Sequence, residues 1–161
     1  MIDRRNRGDR VVVNRHGYVH LLGRRLVKKV GITFLLWLAG FWDGEGWTCY
    51  RVRESDSGKS RAYILGVCQA GDRGKLICEE IRAVFGFGTI GRSERKAPHQ
   101  PLYSWRVYRV RDVMVVGSVL APLLKVRREE LLEFLRIGSQ FEDELRHVSW
   151  TVLEIEYVSQ E

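Results

Sequence analysis

A chain of 161 residues with 45% hydrophobic content is sized for one compact domain with its own core, and it has no room for an internally repeated domain. Its twelve-residue apolar run at 31–42 falls short of the roughly 20 residues that cross a membrane, and thirty mostly basic or polar residues ahead of that run, with Asp43 and Glu45 behind it, do not fit a secretory leader. The net charge of +7 is unevenly spread: residues 1–30 hold nine Lys/Arg against two Asp, residues 46–128 hold sixteen bases against seven acids, and residues 129–161 hold two bases against nine acids. Positive charge on an arm and a central segment suits phosphate neutralisation, whereas the acidic end does not. Cys49, Cys68 and Cys78 are an odd set without paired spacing, which points away from a zinc site or disulfide framework and towards a reducing, intracellular setting.

Taken in order, residues 1–30 form a basic N-terminal arm that opens with Arg4, Arg5, Arg7 and Arg10. The β-like stretches 11–13 and 18–22 around a turn at 14–17 read as a small hairpin, followed by Arg24, Arg25, Lys28 and Lys29. A hairpin laid along a polyanion and a solvated basic leader fit these residues equally well. Residues 33–43 predict a helix whose buried face carries Leu35, Leu38 and Trp42. A second face reads Leu36, Ala39, Gly40 and Asp43, and two adjacent small residues in mid-helix predict close approach of another helix. Gly44 and Gly46 are expected to end the helix in a C-terminal turn that presents Glu45 just past it.

Residues 47–53 alternate as a strand, with Trp47, Cys49, Arg51 and Arg53 on the side of Glu45. A polar tip at 54–60 leads into a return strand at 61–69 with Tyr63, Leu65 and Val67 facing the core. Asp72 is placed to cap a helix bearing Leu76, Ile77, Ile81 and Val84, and Gly86-Phe87-Gly88 closes it. Strands at 89–94 and 102–110 follow, joined by a basic loop containing Arg95. Ser104, Arg106 and Tyr108 lie opposite Trp105 and Val107 by parity. A helix at 112–120, a break at Pro122 and a last helix at 123–137 complete the pattern, with further apolar stretches at 141–146 and 150–158.

The nonapeptide Leu38-Ala39-Gly40-Phe41-Trp42-Asp43-Gly44-Glu45-Gly46 closely resembles the signature of the LAGLIDADG homing endonucleases. The succession of elements over about 32–137 resembles that family's repeat unit, and one motif is present. The resemblance implies an α+β fold, an αββαββα unit with a DNA-binding antiparallel sheet at 31–140, flanked by the arm at 1–30 and an acidic extension at 141–161. It implies a homodimer through Leu36, Ala39, Gly40 and Asp43 that sets two acids side by side over double-stranded DNA. Strands and hairpin tips would enter the major groove, which admits a β-ribbon, through Arg51, Arg53, Arg95, Ser104, Arg106 and Tyr108. Among these Arg106 is the best placed to read a base, because a guanidinium bonds both acceptors of guanine.

Phosphodiester hydrolysis needs an activated water and charge stabilisation at the phosphate, which divalent ions held by carboxylates supply. Magnesium, or manganese, suits one carboxylate per subunit, since it binds through few protein ligands plus substrate oxygens. By resemblance Glu45 takes the metal-binding position, with the Gly44 carbonyl assisting. Gln69 takes the position of a polar residue that holds a water. Arg127 stands at the spacing of the family's lysine after the Leu120-Ala121-Pro122-Leu123-Leu124 run, with Lys125 as the alternative about 200° away on the expected helix. The alternative function is an intron maturase, with RNA as partner, or a non-cleaving binder on the same scaffold.

Overall fold

The computed structural model describes residues 10–13, 18–22 and 27–141, with side chains from Gly31 onward; the stretch at 142–161, including the expected elements there, lies outside the described residues. Strands β1 (Arg10–Val13), β2 (Tyr18–Leu22) and β3 (Val27–Gly31) form a three-stranded antiparallel sheet in the order β1-β2-β3. The expected hairpin is therefore a meander. Its third strand takes up Lys28 and Lys29, which the sequence offered only as a basic run, because Val27 and Val30 stand opposite Leu22 and Val19.

Helix α1 (Ile32–Glu45) follows without a loop. It extends two residues past the expected end at Asp43. It also stops differently, since Gly46 is extended (φ −77°, ψ 152°) rather than left-handed. Glycine is needed at 46 for space, because a Cβ there would run into the Trp42 indole.

The main sheet is antiparallel in the order β4-β5-β7-β6, built from β4 (Gly46–Ser55), β5 (Gly58–Ala70), β6 (Thr89–Ser93) and β7 (Leu102–Val107). The polar tip expected at 54–60 shrinks to two residues, because Ser55 pairs with Gly58 and the ladder continues to the turn. Helix α2 (Gly71–Phe85) starts directly from β5 with Ala70 as N-cap, and no side chain caps it, so Asp72 lies in the first turn instead. Its buried residues are Gly71, Gly74, Cys78, Ile81 and Phe85. Leu76, expected inside, is 66% exposed. Gly86 ends the helix in the left-handed region (φ 78°), and the Trp105 indole N–H bonds the Phe87 carbonyl at 3.1 Å, pinning that corner to the sheet.

Helix α3 (Val110–Leu120) begins two residues earlier than its pattern suggested, shortening β7, because Val110 is buried. A 3-10 turn (Ala121–Leu123) follows, and α4 spans Arg128–Gly138. The expected continuous helix at 123–137 is thus broken by a loop at 124–127.

Residues directly opposite in an antiparallel pair share a face. Leu65, Val67, Trp105 and Val107 are buried on one face under the helices, together with Leu35, Leu38, Trp42, Ile81, Phe85, Val113, Val116, Leu120 and Leu131. Tyr63 stacks on Phe134 (centroids 4.1 Å apart) and bonds its carbonyl at 2.6 Å, closing the core beneath α4. The other face of the sheet has no helix of the described residues over it.

Candidate functional site

Register arranges the open face in rows across the strands. Cys68 stands opposite Ser104, and Ser104 opposite Gly91. The next row is Trp47, Gly66, Arg106 and Thr89. Further along β4 come Cys49 with Ile64, Arg51 with Ala62, and Arg53 with Ser60. On the helix side the same strands carry Thr48, which bonds Glu130 of α4 at 3.4 Å, and Tyr50, which meets Tyr63 edge to face. The expected parity of Trp47, Cys49, Arg51 and Arg53 is therefore the one observed, and both arginines are exposed.

The acidic end of α1 adjoins the first of these rows. Glu45 is exposed, and the Cys68 thiol reaches its carbonyl oxygen at 4.0 Å. Burial pushes the Cys68 thiol up, the Glu45 carboxylate pushes it further, and the Arg95 charge opposes both. Glu45 and Arg95 of the β6–β7 loop thus act in opposite directions on the same thiol. Cys68 was not a candidate from sequence. Only the pairing of β5 with its neighbours reveals it.

Asp43 has a different task from Glu45. Its carboxylate accepts the backbone N–H groups of Lys125 (2.8 Å), Val126 (3.1 Å) and Arg127 (2.9 Å), and so ties the loop after the 3-10 turn to the end of α1. Burial alone would raise its pKa. The three N–H bonds and the Arg127 charge outweigh that and hold the carboxyl below the usual carboxylate range. The Arg127 guanidinium bonds the Asp43 carbonyl at 3.2 Å and pairs with Glu130 at 3.5 Å. Since 124–127 is not helical, Lys125 and Arg127 are not set about 200° apart as they would be on the expected helix. What separates them is engagement: the guanidinium is bonded at the end of α1, while the Lys125 side chain is exposed.

Gln69 is the penultimate residue of β5, opposite Tyr103 and on the helix side. Gly74 of α2 comes so close to it that a Cβ there would strike the Gln69 carbonyl. Gln69 therefore borders the Glu45 end instead of sharing its face. Ser104 is 9% exposed and accepts the Arg106 Nε–H at 2.9 Å, so this pair is joined. Tyr108 is exposed just beyond the end of β7.

Of the four expected seam residues, Ala39 is 1% exposed inside the subunit and Asp43 is turned to the 125–127 loop. Leu36 is 55% exposed, and a Cβ at Gly40 would meet nothing within 4 Å. The exposed stripe of α1 therefore reads Thr33, Leu36, Trp37, Gly40 and Gly44. Trp37, 41% exposed, stacks on Phe41 with centroids 5.5 Å apart.

No group of three or more His, Cys, Asp or Glu side chains among the described residues forms a metal cage. Glu45 with the neighbouring Gly44 carbonyl is a sparse, exposed oxygen set. It fits a hard divalent ion that keeps most of its waters, not a buried structural metal. No helix among the described residues is long and apolar enough to cross a membrane.

No family model and no curated protein matches the chain in sequence. Solved structures do match. The homing endonuclease I-CvuI, in complex with DNA, is 20% identical with a TM-score of 0.58 over 69% of this chain and 69% of its own. The meganuclease I-SmaMI, bound to uncleaveable DNA, is 17% identical with a TM-score of 0.60 over 80% of this chain but 43% of its own. The LAGLIDADG meganuclease I-CpaMI, bound to uncleaved DNA, is 13% identical with a TM-score of 0.57 over 68% of this chain and 38% of its own. This chain thus spans about two thirds of I-CvuI and less than half of the other two. At such identities the likeness is one of architecture, and the architecture is the LAGLIDADG homing-endonuclease fold.

Proposed function

We propose that the chain is a divalent-metal-dependent endonuclease that cuts both strands of a pseudo-palindromic DNA site as a homodimer inside the cell. The observation that carries this reading is the placement of one exposed carboxylate, Glu45, at the end of an apolar helix and beside an open sheet face with Arg51, Arg53, Arg95 and Arg106. A surface that only bound phosphates would gain nothing from an acid there, since it repels the backbone.

The seam is the stripe of Leu36, Trp37, Gly40 and Gly44. Helix α1 is apolar on nearly all sides up to Asp43, as befits a helix lying between two packed layers. Closing that stripe on a second copy brings two Glu45 carboxylates together about one axis, which supplies the acid count that one subunit lacks. Residues 31–140 form the nuclease unit, residues 1–30 an electrostatic arm, and residues 141–161 an acidic extension.

Magnesium or manganese held by Glu45 and the Gly44 carbonyl would supply an activated water and charge neutralisation at the phosphate. Gln69 and Arg127 border this centre from the helix side, where Gln69 holds a water and Arg127 contributes fixed positive charge. Arg127 cannot serve as a base, because a guanidinium stays protonated. Its bonds to Asp43 and Glu130 are the one observation that favours the second reading, a maturase or non-cleaving binder.

The test is incubation of the purified chain with a plasmid library of randomised duplex sites, with and without magnesium. Linear product only with magnesium supports the reading. Retarded but uncut DNA under both conditions would leave the binder.

A further inference from the structure

The row of Arg106 on the open face contains an arrangement that neither the sequence nor the shared fold assigns. The Arg106 side chain does not stand free in solvent. It leans from its own row into the neighbouring one, where its Nε–H bonds the hydroxyl of nearly buried Ser104 at 2.9 Å. Its Nη2 end lies across Gly91 of β6, at a place that any Cβ on residue 91 would occupy. On the opposite side, its direct partner on β5 is Gly66, and the Trp47 ring covers that glycine. The guanidinium thus has a latch at Ser104 and a floor at Gly91.

This matters for what the guanidinium can still do. A guanidinium offers five N–H donors in a rigid planar fork. With Nε–H given to Ser104, the side-on pairing that uses Nε and one Nη is taken, and the end-on pair of Nη1 and Nη2 remains. An end-on fork matches the O6 and N7 acceptors of guanine in the major groove. A loosely held arginine would instead turn to whichever phosphate came nearest, with no base preference.

We propose that Ser104 and Gly91 are positioning residues that fix Arg106 as an end-on reader of one guanine in each half of the DNA site. The proposal rests on the reading of the open sheet face as the DNA interface. It makes Ser104 a support of Arg106, whose Nε–H its oxygen accepts. It also gives Gly91 a role in specificity rather than in folding, because the atoms that exclude a side chain there are the far end of a flexible arginine and not backbone.

The experiment is selection of bound sequences from a randomised duplex DNA library by the intact chain, without divalent metal. Four variants are compared with the parent: Ser104→Ala, Ser104→Thr, Gly91→Ala and Arg106→Ala. The parent should enrich guanine at one symmetry-related pair of positions. Arg106→Ala should abolish that preference. Ser104→Ala and Gly91→Ala should weaken it about tenfold at those positions alone. Ser104→Thr, which keeps the hydroxyl, should restore it. An unchanged profile in Ser104→Ala and Gly91→Ala, or an equal loss at every position, overturns the cradle while leaving the DNA-binding reading intact. A uniform loss of affinity without any change of sequence in Arg106→Ala makes that arginine a phosphate contact and overturns the proposal too. Failure of the parent to retain any duplex overturns both this proposal and the function it rests on.

Discussion

Removing the Asp43 carboxylate should loosen the joint between the end of α1 and the loop at 124–127. Three backbone N–H groups converge on that carboxylate at 2.8–3.1 Å, and their carrier residues are more than eighty positions away in sequence. Hydrogen bonds to a charged group contribute about 1.5–3 kcal/mol each, but three on one half-buried carboxylate share a single charge and are screened, so they do not add. Asn in its place keeps one acceptor and turns an NH2 towards a donor, so Asp43→Asn should cost about 2 kcal/mol and Asp43→Ala about 3 kcal/mol. The assay is urea unfolding of parent and variants, repeated in steps from pH 7 down to about 2.5. The carboxyl is held below its ordinary value of 3.8 in the folded chain, so its contribution is complete above that value and is lost as pH falls through the folded-state pKa. The gap between parent and Asp43→Asn should therefore narrow in acid. Equal stabilities at pH 7, or a gap that persists undiminished at the acid end, would show that the Asp43 carboxylate does not hold this joint.

Glu45→Gln removes a repulsive charge from a phosphate-facing surface, so it should bind duplex DNA as well as the parent or better while losing magnesium-dependent cleavage in a plasmid assay. Gly40→Leu should leave the subunit folded and yield monomer by light scattering, since its side chain enters open space in one subunit and obstructs only a second helix; an undiminished dimer would contradict the seam. Deleting residues 1–30 should flatten the slope of log affinity against log salt by several units, at about 0.9 per phosphate released, and a changed site preference would instead make the arm a reader. Arg127→Met should reduce cleavage far more than binding and also lower stability in urea, because the guanidinium holds the end of α1. Lys125→Met should change neither cleavage nor stability, as only its backbone N–H is engaged.

Much of the fold was legible because periodicity reports burial. The positions expected to be buried on β5 and β7, namely Tyr63, Leu65, Val67, Trp105 and Val107, are all in the core. Element ends were less legible. The 124–127 loop reads as helix because Leu123 and Leu124 continue an apolar pattern, and the acceptor that unwinds it, Asp43, lies in a different element. Leu76 was misplaced for a related reason: α2 turns Gly74 and Cys78 towards the sheet, and small residues give a weak signal in a hydrophobic pattern. Parity alone puts Ser104 beside Arg106, but Cys68 and Gly91 have no such signal. Cys68, Ser104 and Gly91 share a row only through the register of β5, β7 and β6, and loops of different length set that register.

Helix α1 shows how far a single stripe can mislead. Leu35, Leu38, Ala39 and Trp42 follow the i, i+3, i+4, i+7 spacing of one face, and that face is the one buried in the subunit. Reading Ala39 with Gly40, as a pair of small residues, assigned it to the wrong side. The exposed residues Thr33, Leu36, Trp37, Gly40 and Gly44 make a second stripe with the same spacing. Among the described residues, only the first of these two stripes is covered. The exposed stripe ends at Gly44, one residue before the Glu45 carboxylate. In the proposed dimer, burial of that stripe and completion of an acidic pair are the same event, so a variant that blocks the seam should lose cleavage even with every Glu45 intact.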